Sequence, residues 1–261
     1  ADALAVVDVS DPSSPTLVGV VADASRLNGA AGVAFDAAAQ RAFVVSADGG
    51  SLTVVDVSDP SEPSIVGTLV ASSLAGASSV VHDASTQRVF VASPDASVLA
   101  VIDVSDPTQP TLVGLFTDAV NLDGAVGVFY DAPTRRAIVA AERADSLAVV
   151  CVPNELPGEC GRTLALVGAS ADAASLDGAH GVVYDAVAQL ALVASAGADA
   201  LAVVDVSDPS APVVVGVVAD ATRLDGAVGV AYDAAAQLAF VASADGGSLT
   251  VVDVSDPSEP S

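Results

Sequence analysis

One nine-residue phrase recurs six times along the chain and sets its period. It reads LAVVDVSDP at 4–12, LTVVDVSDP at 52–60 and LAVIDVSDP at 99–107, then a degraded LAVVCVPNE at 147–155. LAVVDVSDP at 201–209 and LTVVDVSDP at 249–257 complete the series. The aligned positions Asp8, Asp56, Asp103, Cys151, Asp205 and Asp253 are separated by 48, 47, 48, 54 and 48 residues. Self-similarity at such an interval marks a repeat architecture, in which each unit buries its apolar surface only against its neighbours. Residues 1–261 therefore read as a single repeat domain with units of about 48 residues.

Between phrases the order of segments is constant. PTLVGVVA (15–22) is an apolar run, followed by the polar stretch DASRLNGAA and the short run GVAFD (32–36). AAAQ connects to RAFVVS (41–46), and ADGG turns into LTVVDVS (52–58). Val-rich runs of this length, bounded by Gly, Pro, Asp or Ser, read as strands and turns. DAAAQR is the one helix-like segment, and it is too short to hold a helix alone.

The strands are nearly continuous apolar runs, so both faces of each small sheet need cover. With no helices present, the cover has to come from other sheets. Four strands in such a unit fit the blade of a β-propeller. The sequence thus predicts an all-β fold, a β-propeller of four-stranded blades with about five blade equivalents. Two columns of large side chains support the register as packing between blades. One holds Phe35, His82, Tyr130, Tyr184 and Tyr232, and the other Phe43, Phe90, Ile138, Leu192 and Phe240.

The consensus LxVVDVSDPxxPxxVG resembles the LVIVD-repeat family of extracellular proteins, which is predicted to form β-propellers. The resemblance covers nearly the whole chain, with the motif in every unit but the cysteine-bearing one. It implies a secreted or cell-surface setting. It implies no enzyme activity, because the family has no agreed catalytic residues.

Counting segments gives six copies of the phrase but five of every other strand. Joining the last GVAYD and LAFVAS strands to the first LAVVDVS and PTLVGVV strands would close five blades and leave a surplus terminal strand. A longer repeat bears on that surplus. Residues 198–261 match 1–64 at an offset of 197 with nine differences, and SADGGSLTVVDVSDPSEPS is identical at 46–64 and 243–261. A 197-residue block has been duplicated, which reads as one unit of a longer array. An unpaired apolar strand is a template for another chain. Leu249, Val251, Val252 and Val254 are therefore the expected assembly strand, with the protein itself as partner.

Charge narrows the rest. The chain carries 33 acidic residues, eight arginines and no lysine, for a net charge of −25. Nucleic acid and anionic membranes need clustered positive charge and are excluded as partners. No apolar run approaches the roughly 18 residues needed to cross a bilayer, so membrane insertion is not expected. Asp123, Asp177 and Asp225 recur on loops that a propeller places on one rim, where carboxylates would suit a hard cation such as Ca2+. Their spacing matches no known calcium loop, so no cofactor is expected from motif alone.

Cys151 and Cys160 flank the only insertion, CVPNELPGEC. A disulfide closing that loop would contribute roughly 2.5–3 kcal/mol and implies an oxidising, extracellular compartment. His82 sits in the aromatic column, and His180 replaces a small residue. Ser78, His82 and Asp83 form no triad, because adjacent strand residues point to opposite faces. No phosphate loop, dinucleotide fingerprint or nucleophile elbow occurs.

The sequence reading is therefore a non-catalytic extracellular repeat protein, a subunit of a filament, tandem array or surface scaffold. The alternative is a glycan-binding or Ca2+-dependent propeller adhesin.

Overall fold

A computed structural model describes residues 2–153 and 163–261. Its chain divides into two compact units, Ala1–Ala96 with Ala100–Leu115 and Ser97–Leu99 with Phe116–Ser261. The first phrase and the run after it give β1 (Ala3–Asp8) and β2 (Thr16–Ala22), a two-stranded sheet. The next sheet takes β3 (Ala30–Asp36), β4 (Arg41–Ser46), β5 (Ser51–Asp56) and β6 (Ser64–Val70) in chain order. A third sheet holds β7 (Ser79–Asp83), β8 (Arg88–Ser93), β9 (Val98–Asp103) and β10 (Thr111–Thr117).

Two more four-stranded sheets follow the same order. One holds β11 (Ala125–Asp131), β12 (Arg136–Ala141), β13 (Ser146–Cys151) and β14 (Ala165–Ala171). The other holds β15 (Ala179–Asp185), β16 (Leu190–Ser195), β17 (Ala200–Asp205) and β18 (Val213–Ala219). The last sheet has three strands, β19 (Ala227–Asp233), β20 (Leu238–Ser243) and β21 (Ser248–Asp253). Among the described residues the only helical turn is a 3-10 turn at Ser72–Leu74, and no helix is long and apolar enough to cross a membrane.

The expected joining of the last inner strands to the first phrase is not what β20 does. It pairs with β21, Ser243 opposite Ser248 through Leu238 opposite Asp253. The reason is local: Asp245-Gly246-Gly247 makes the same tight turn as Asp48-Gly49-Gly50, and the nearest copy of the phrase folds back first.

Alternation within each strand explains the continuous apolar runs. In β4 and β5 the residues Phe43, Val45, Leu52 and Val54 pack against Val89, Val91, Ala100, Ile102 and Val104 of the following sheet. Their neighbours Ala42, Val44 and Val55 face the other way, onto Leu4 and Val21. The second unit repeats the arrangement: Leu192, Ala194, Leu201 and Val203 face Ala239, Val241, Val252 and Val254. The two middle strands of each four-stranded sheet are thus buried on both sides, each large aliphatic group contributing roughly 1.5–3 kcal/mol of transfer free energy.

Close approach between sheets fixes two glycine columns. A Cβ at Gly67, in the outermost strand, would run into the Pro107 carbonyl and lie 2.8 Å from that of Thr108. A Cβ at Gly181, in an innermost strand, would lie 2.7 Å from the Val228 carbonyl. Every phrase except the cysteine-bearing one also ends in two carboxylate-closed turns. Asp56 accepts the Ser58 amide at 2.8 Å, and Asp59 accepts the Ser61 amide at 2.9 Å and its hydroxyl at 2.6 Å. Asp205 with Asp208 and Asp253 with Asp256 repeat the pair.

These bonds favour the ionised carboxylate. The Ser58 hydroxyl and amide hold Asp56 below the usual range, and the Ser61 hydroxyl and amide do the same for Asp59. Asp23, bonded first by the Ser25 hydroxyl and then by the Ser25 and Arg26 amides, is lowered to about 2.

Two predictions follow from packing and charge. Gly67→Ala should lower the unfolding free energy by about 1–3 kcal/mol through overpacking. Gly229→Ala meets nothing nearer than the Ala242 Cβ at 3.5 Å and should leave it unchanged or raise it by up to about 1 kcal/mol; urea denaturation checks both. The depressed aspartates contribute stability that is complete above their unfolded pKa, about 4, and is lost as pH falls through the folded values. In about 0.5 M salt, where the Debye length is about 4 Å and repulsion among the carboxylates is screened, the melting temperature should be flat above pH 5. It should fall steeply between pH 4 and pH 2.

Candidate functional site

The last sheet is incomplete, and its open side is the most distinctive surface of the second unit. Along β21 alternate residues divide between core and solvent. Val252 and Val254 turn inward and pack with Val203 and Val241. Leu249 is 69% exposed and Val251 52%, although Leu52 and Val54, at the same places in β5, are fully buried. The sequence is the same; what differs is that β5 has β6 along its edge and a further sheet over its face. Of the four residues expected to form an assembly strand, two therefore face outward and two belong to the core.

A fourth strand is begun on this edge. The Asp253 amide donates to the Ser261 carbonyl at 2.8 Å, and the Ser261 amide donates back to the Asp253 carbonyl at 3.0 Å. That is the pairing of Asp56 with Ser64, where β6 starts. Beyond Ser261 the strand edge from Ser248 to Val252 borders a groove of about 430 Å3, closed on the other side by Val218, Arg223 and Leu224. The Arg223 carbonyl ties the loop to the edge, accepting from the hydroxyls of Ser248 at 2.7 Å and Thr250 at 2.8 Å. At the rim Asp220 is kept below the usual carboxylate range by the Thr222 and Arg223 amides, with the Arg223 guanidinium 3.3 Å away.

The first sheet is incomplete in the complementary sense. β1 and β2 occupy the third and fourth strand positions, and positions one and two are absent from that sheet. Val7 and Val9 in the first phrase are 45% and 66% exposed, whereas Val252 and Val254, their equivalents, are buried. On β3, Val33 is 56% and Phe35 59% exposed. Elsewhere the Phe35 column is engaged: His82 stacks on Phe43 at 4.5 Å, and Tyr184 lies 6.0 Å from Phe129.

The remaining candidates are placed separately. Asp123 accepts from the Ser97 hydroxyl and from Arg143 Nε, each at 3.1 Å. Asp177 and Asp225 hold their own turns, their carbonyls accepting the Gly197 and Gly246 amides at 3.0 Å. Neighbouring loop acids serve as clamps: Asp145 takes the Gly178 amide at 3.1 Å and Asp199 the Gly226 amide at 2.9 Å. Among the described residues no group of three or more His, Cys, Asp or Glu is arranged to hold a metal.

Cys151 ends β13 and is buried, Cys160 lies outside the described residues, and no free cysteine occurs among those described. His180 Nδ1 lies 2.9 Å from the Val228 carbonyl. His82 Nδ1 is 3.9 Å from Asp36, and burial lowers its pKa. The Ser78 hydroxyl donates to the Ala92 carbonyl at 3.4 Å.

Sequence reasoning missed the groove and the Ser261 rung. The signal was present, since the identity of 243–261 with 46–64 places Ser261 where Ser64 opens a fourth strand.

Comparison with known proteins agrees with this geometry. The LVIVD repeat matches residues 1–23, 31–70, 89–118, 191–220 and 237–261. A functionally unknown protein from Desulfotomaculum acetoxidans superposes with a TM-score of 0.74 at 13% identity, over 97% of this chain and 76% of that one. The periplasmic gluconolactonase of Pseudomonas aeruginosa gives 0.73 at 16% identity, over 92% and 69%. A putative 6-phosphogluconolactonase from Bacteroides uniformis gives 0.70 at 11% identity, over 93% and 71%. None of the curated protein sequences matches.

The fold is a β-propeller of four-stranded antiparallel sheets. The expectation that the protein is not an enzyme is corrected by the same likeness, because two structures named as lactonases share this fold. That expectation rested on the family's lack of agreed catalytic residues, on the absence of a partnered nucleophile or histidine and on the absence of short sequence motifs. Such motifs say little about a site assembled from the loops of separate sheets.

The contrast between equivalent positions gives a third prediction. In dilute protein, Leu52→Ala should cost about 2–5 kcal/mol by opening a cavity, while Leu249→Ala should change stability by no more than about 0.5 kcal/mol. Urea denaturation measures both.

Proposed function

We propose that this chain, which belongs to the LVIVD-repeat family, is a self-assembling structural subunit of an extracellular filament, tandem array or surface scaffold. Its partner is another copy of itself. The observation that carries the reading is the repetition itself: residues 46–64 and 243–261 are identical, and successive sheets bury equivalent apolar positions against one another. In a repeat protein each added contact between neighbours contributes a similar favourable term, so units of one kind can be added in series. Strand addition gives such a contact both main-chain hydrogen bonds and side-chain pockets. A disulfide between Cys151 and Cys160 fits the extracellular setting.

Charge makes assembly conditional. Copies that each carry −25 repel one another at low ionic strength, and salt screens that repulsion. The fraction of assembled material, measured by sedimentation velocity and viewed by electron microscopy, should therefore rise between about 0.02 M and 0.5 M salt, where the Debye length falls from about 20 Å to about 4 Å. Fibres or lattices that grow with salt are the expected result. Discrete single chains at every salt concentration would contradict the reading.

A second reading, lactone hydrolysis, takes support from the two lactonase-named structures of the same fold. It is checked by following glucono-lactone hydrolysis by acid release, with turnover above the buffer rate as the supporting result.

A further inference from the structure

Five of the six phrases contain an Asp-Pro bond: Asp11-Pro12, Asp59-Pro60, Asp106-Pro107, Asp208-Pro209 and Asp256-Pro257. The cysteine-bearing phrase contains none. We infer that these bonds are sites of acid-triggered self-scission, held closed at neutral pH by a serine or threonine two residues on. The chain would be cut there into pieces of one or two repeats.

An aspartate can attack its own main-chain carbonyl, because carboxylate and carbonyl carbon close a five-membered ring. One carboxylate oxygen bonds to that carbon. The C–N bond to proline then breaks, and its electron pair stays on nitrogen. That nitrogen, part of a tertiary amide, leaves as a secondary amine only when it takes a proton, so acid is required. Water opens the resulting cyclic anhydride to two carboxyl groups. Water is the only co-reactant, and nothing is oxidised or reduced. All five aspartates are exposed, so water and protons reach them.

The geometry is the same at all five sites and acts in two senses. The scissile carbonyl of Asp59 accepts the Glu62 amide at 3.1 Å, and those of Asp11, Asp106, Asp208 and Asp256 accept the equivalent amide at 3.0–3.1 Å. This draws electron density from the carbon under attack. The nucleophile, by contrast, is restrained. Asp59 Oδ1 accepts the Ser61 amide at 2.9 Å and the Ser61 hydroxyl at 2.6 Å. Ser13, Thr108, Ser210 and Ser258 clasp the other four, with amides at 3.0 Å and hydroxyls at 2.6–2.7 Å. These donors occupy lone pairs that an attack would use. They also make each carboxylate less basic, the hydroxyl more than the amide.

Few other charges bear on the sites. Four of the turns press on Gly19, Gly67, Gly168 and Gly216, in strands β2, β6, β14 and β18 that carry no titratable side chain. The charged neighbours are the first aspartate of each phrase and, beside Asp59 and Asp256, Glu62 and Glu259. That first aspartate is an internal control: Asp56 has the same clasp from Ser58 but precedes Val57 rather than proline. A cut after Asp59 falls between β5 and β6, which stay paired from Asp56–Ser64 to Ser51–Val70. A cut chain therefore keeps its sheets and comes apart only in denaturant.

The test is incubation of dilute protein in about 0.5 M salt, at about pH 4 and at about pH 7, with and without urea, followed by mass spectrometry in denaturant. Fragments 12–59, 60–106, 107–208 and 209–256 in acid, formed faster in urea than in the folded chain, with the chain whole at neutral pH, are the expected result. In the folded chain Ser61→Ala should speed the cut after Asp59 by about two- to tenfold relative to that after Asp106, the effect of one hydrogen bond. It should change nothing in urea, where no clasp exists. Asp59→Asn should abolish that one cut. Circular dichroism reports folding, and Ser210→Ala serves in the second unit if Ser61→Ala does not fold. Cuts as frequent after Asp56 as after Asp59, equal rates at the two pH values, or a chain that stays whole in acid even with urea would overturn self-scission. Serine variants that leave the folded rates unchanged, or faster cutting in the folded chain than in urea, would overturn the clasp.

Discussion

Burial of Val and Ala strands on both faces is the constraint from which the remaining structure follows. A strand such as LTVVDV has no polar side to give to water, so a sheet built from it is stable only between two others. Residues of alternate parity then serve different neighbours: Leu52 and Val54 face one way, Val55 the other. The small side chains let sheets approach until glycine is required, at Gly181 between inner strands and at Gly67 beneath the following turn. Repetition of one contact gives order without a single dominant core. In the first and last sheets Val7 and Leu249 are exposed, while their equivalents Val55 and Leu52 are buried.

The acidic residues belong to the same economy of backbone satisfaction. A chain of short strands has many turns, and each turn strands amide groups that need acceptors. Asp supplies them here, at Asp56 and Asp59 in the phrase, at Asp23 in the loop before an inner strand and at Asp199 between sheets. Much of the charge of −25 is thus a by-product of turn chemistry, and its repulsion falls on association between molecules.

How much of this was legible in the sequence depends on whether the determinant is local and repeated. The strands, their order and the double-sided burial were readable from the spacing of the phrase and the continuity of its apolar runs, and the phrase itself pointed to the family. Turns at the Asp, Ser and Pro boundaries of the strands were readable too, though not that both aspartates of the phrase bond them, as Asp56 and Asp59 do. Left-handed Gln40, Gln87, Gln189 and Gln237 were not, since glutamine carries no preference for that conformation and only the turn geometry imposes it. The partner of β20 was misjudged because two near-identical strands compete for it; the nearer one closes the shorter loop at lower entropic cost. The division of β21 into core-facing Val252 and Val254 and open Leu249 and Val251 needed the absence of a neighbour, which alternation alone does not reveal. Excluding catalysis was an argument from a family without agreed catalytic residues and from missing partners and motifs, none of which reports on a site gathered from distant loops.

Amide hydrogen exchange in dilute, unassembled protein tests the dependence on neighbouring sheets most directly. β1, β5 and β21 share nearly one sequence, so intrinsic exchange rates and strand propensity are closely matched, and only their surroundings differ. Protection in β5 near that of global unfolding, with β1 and β21 exchanging orders of magnitude faster, is the result this account predicts. Equal protection of all three strands would show that the sheets hold without their neighbours and would contradict it.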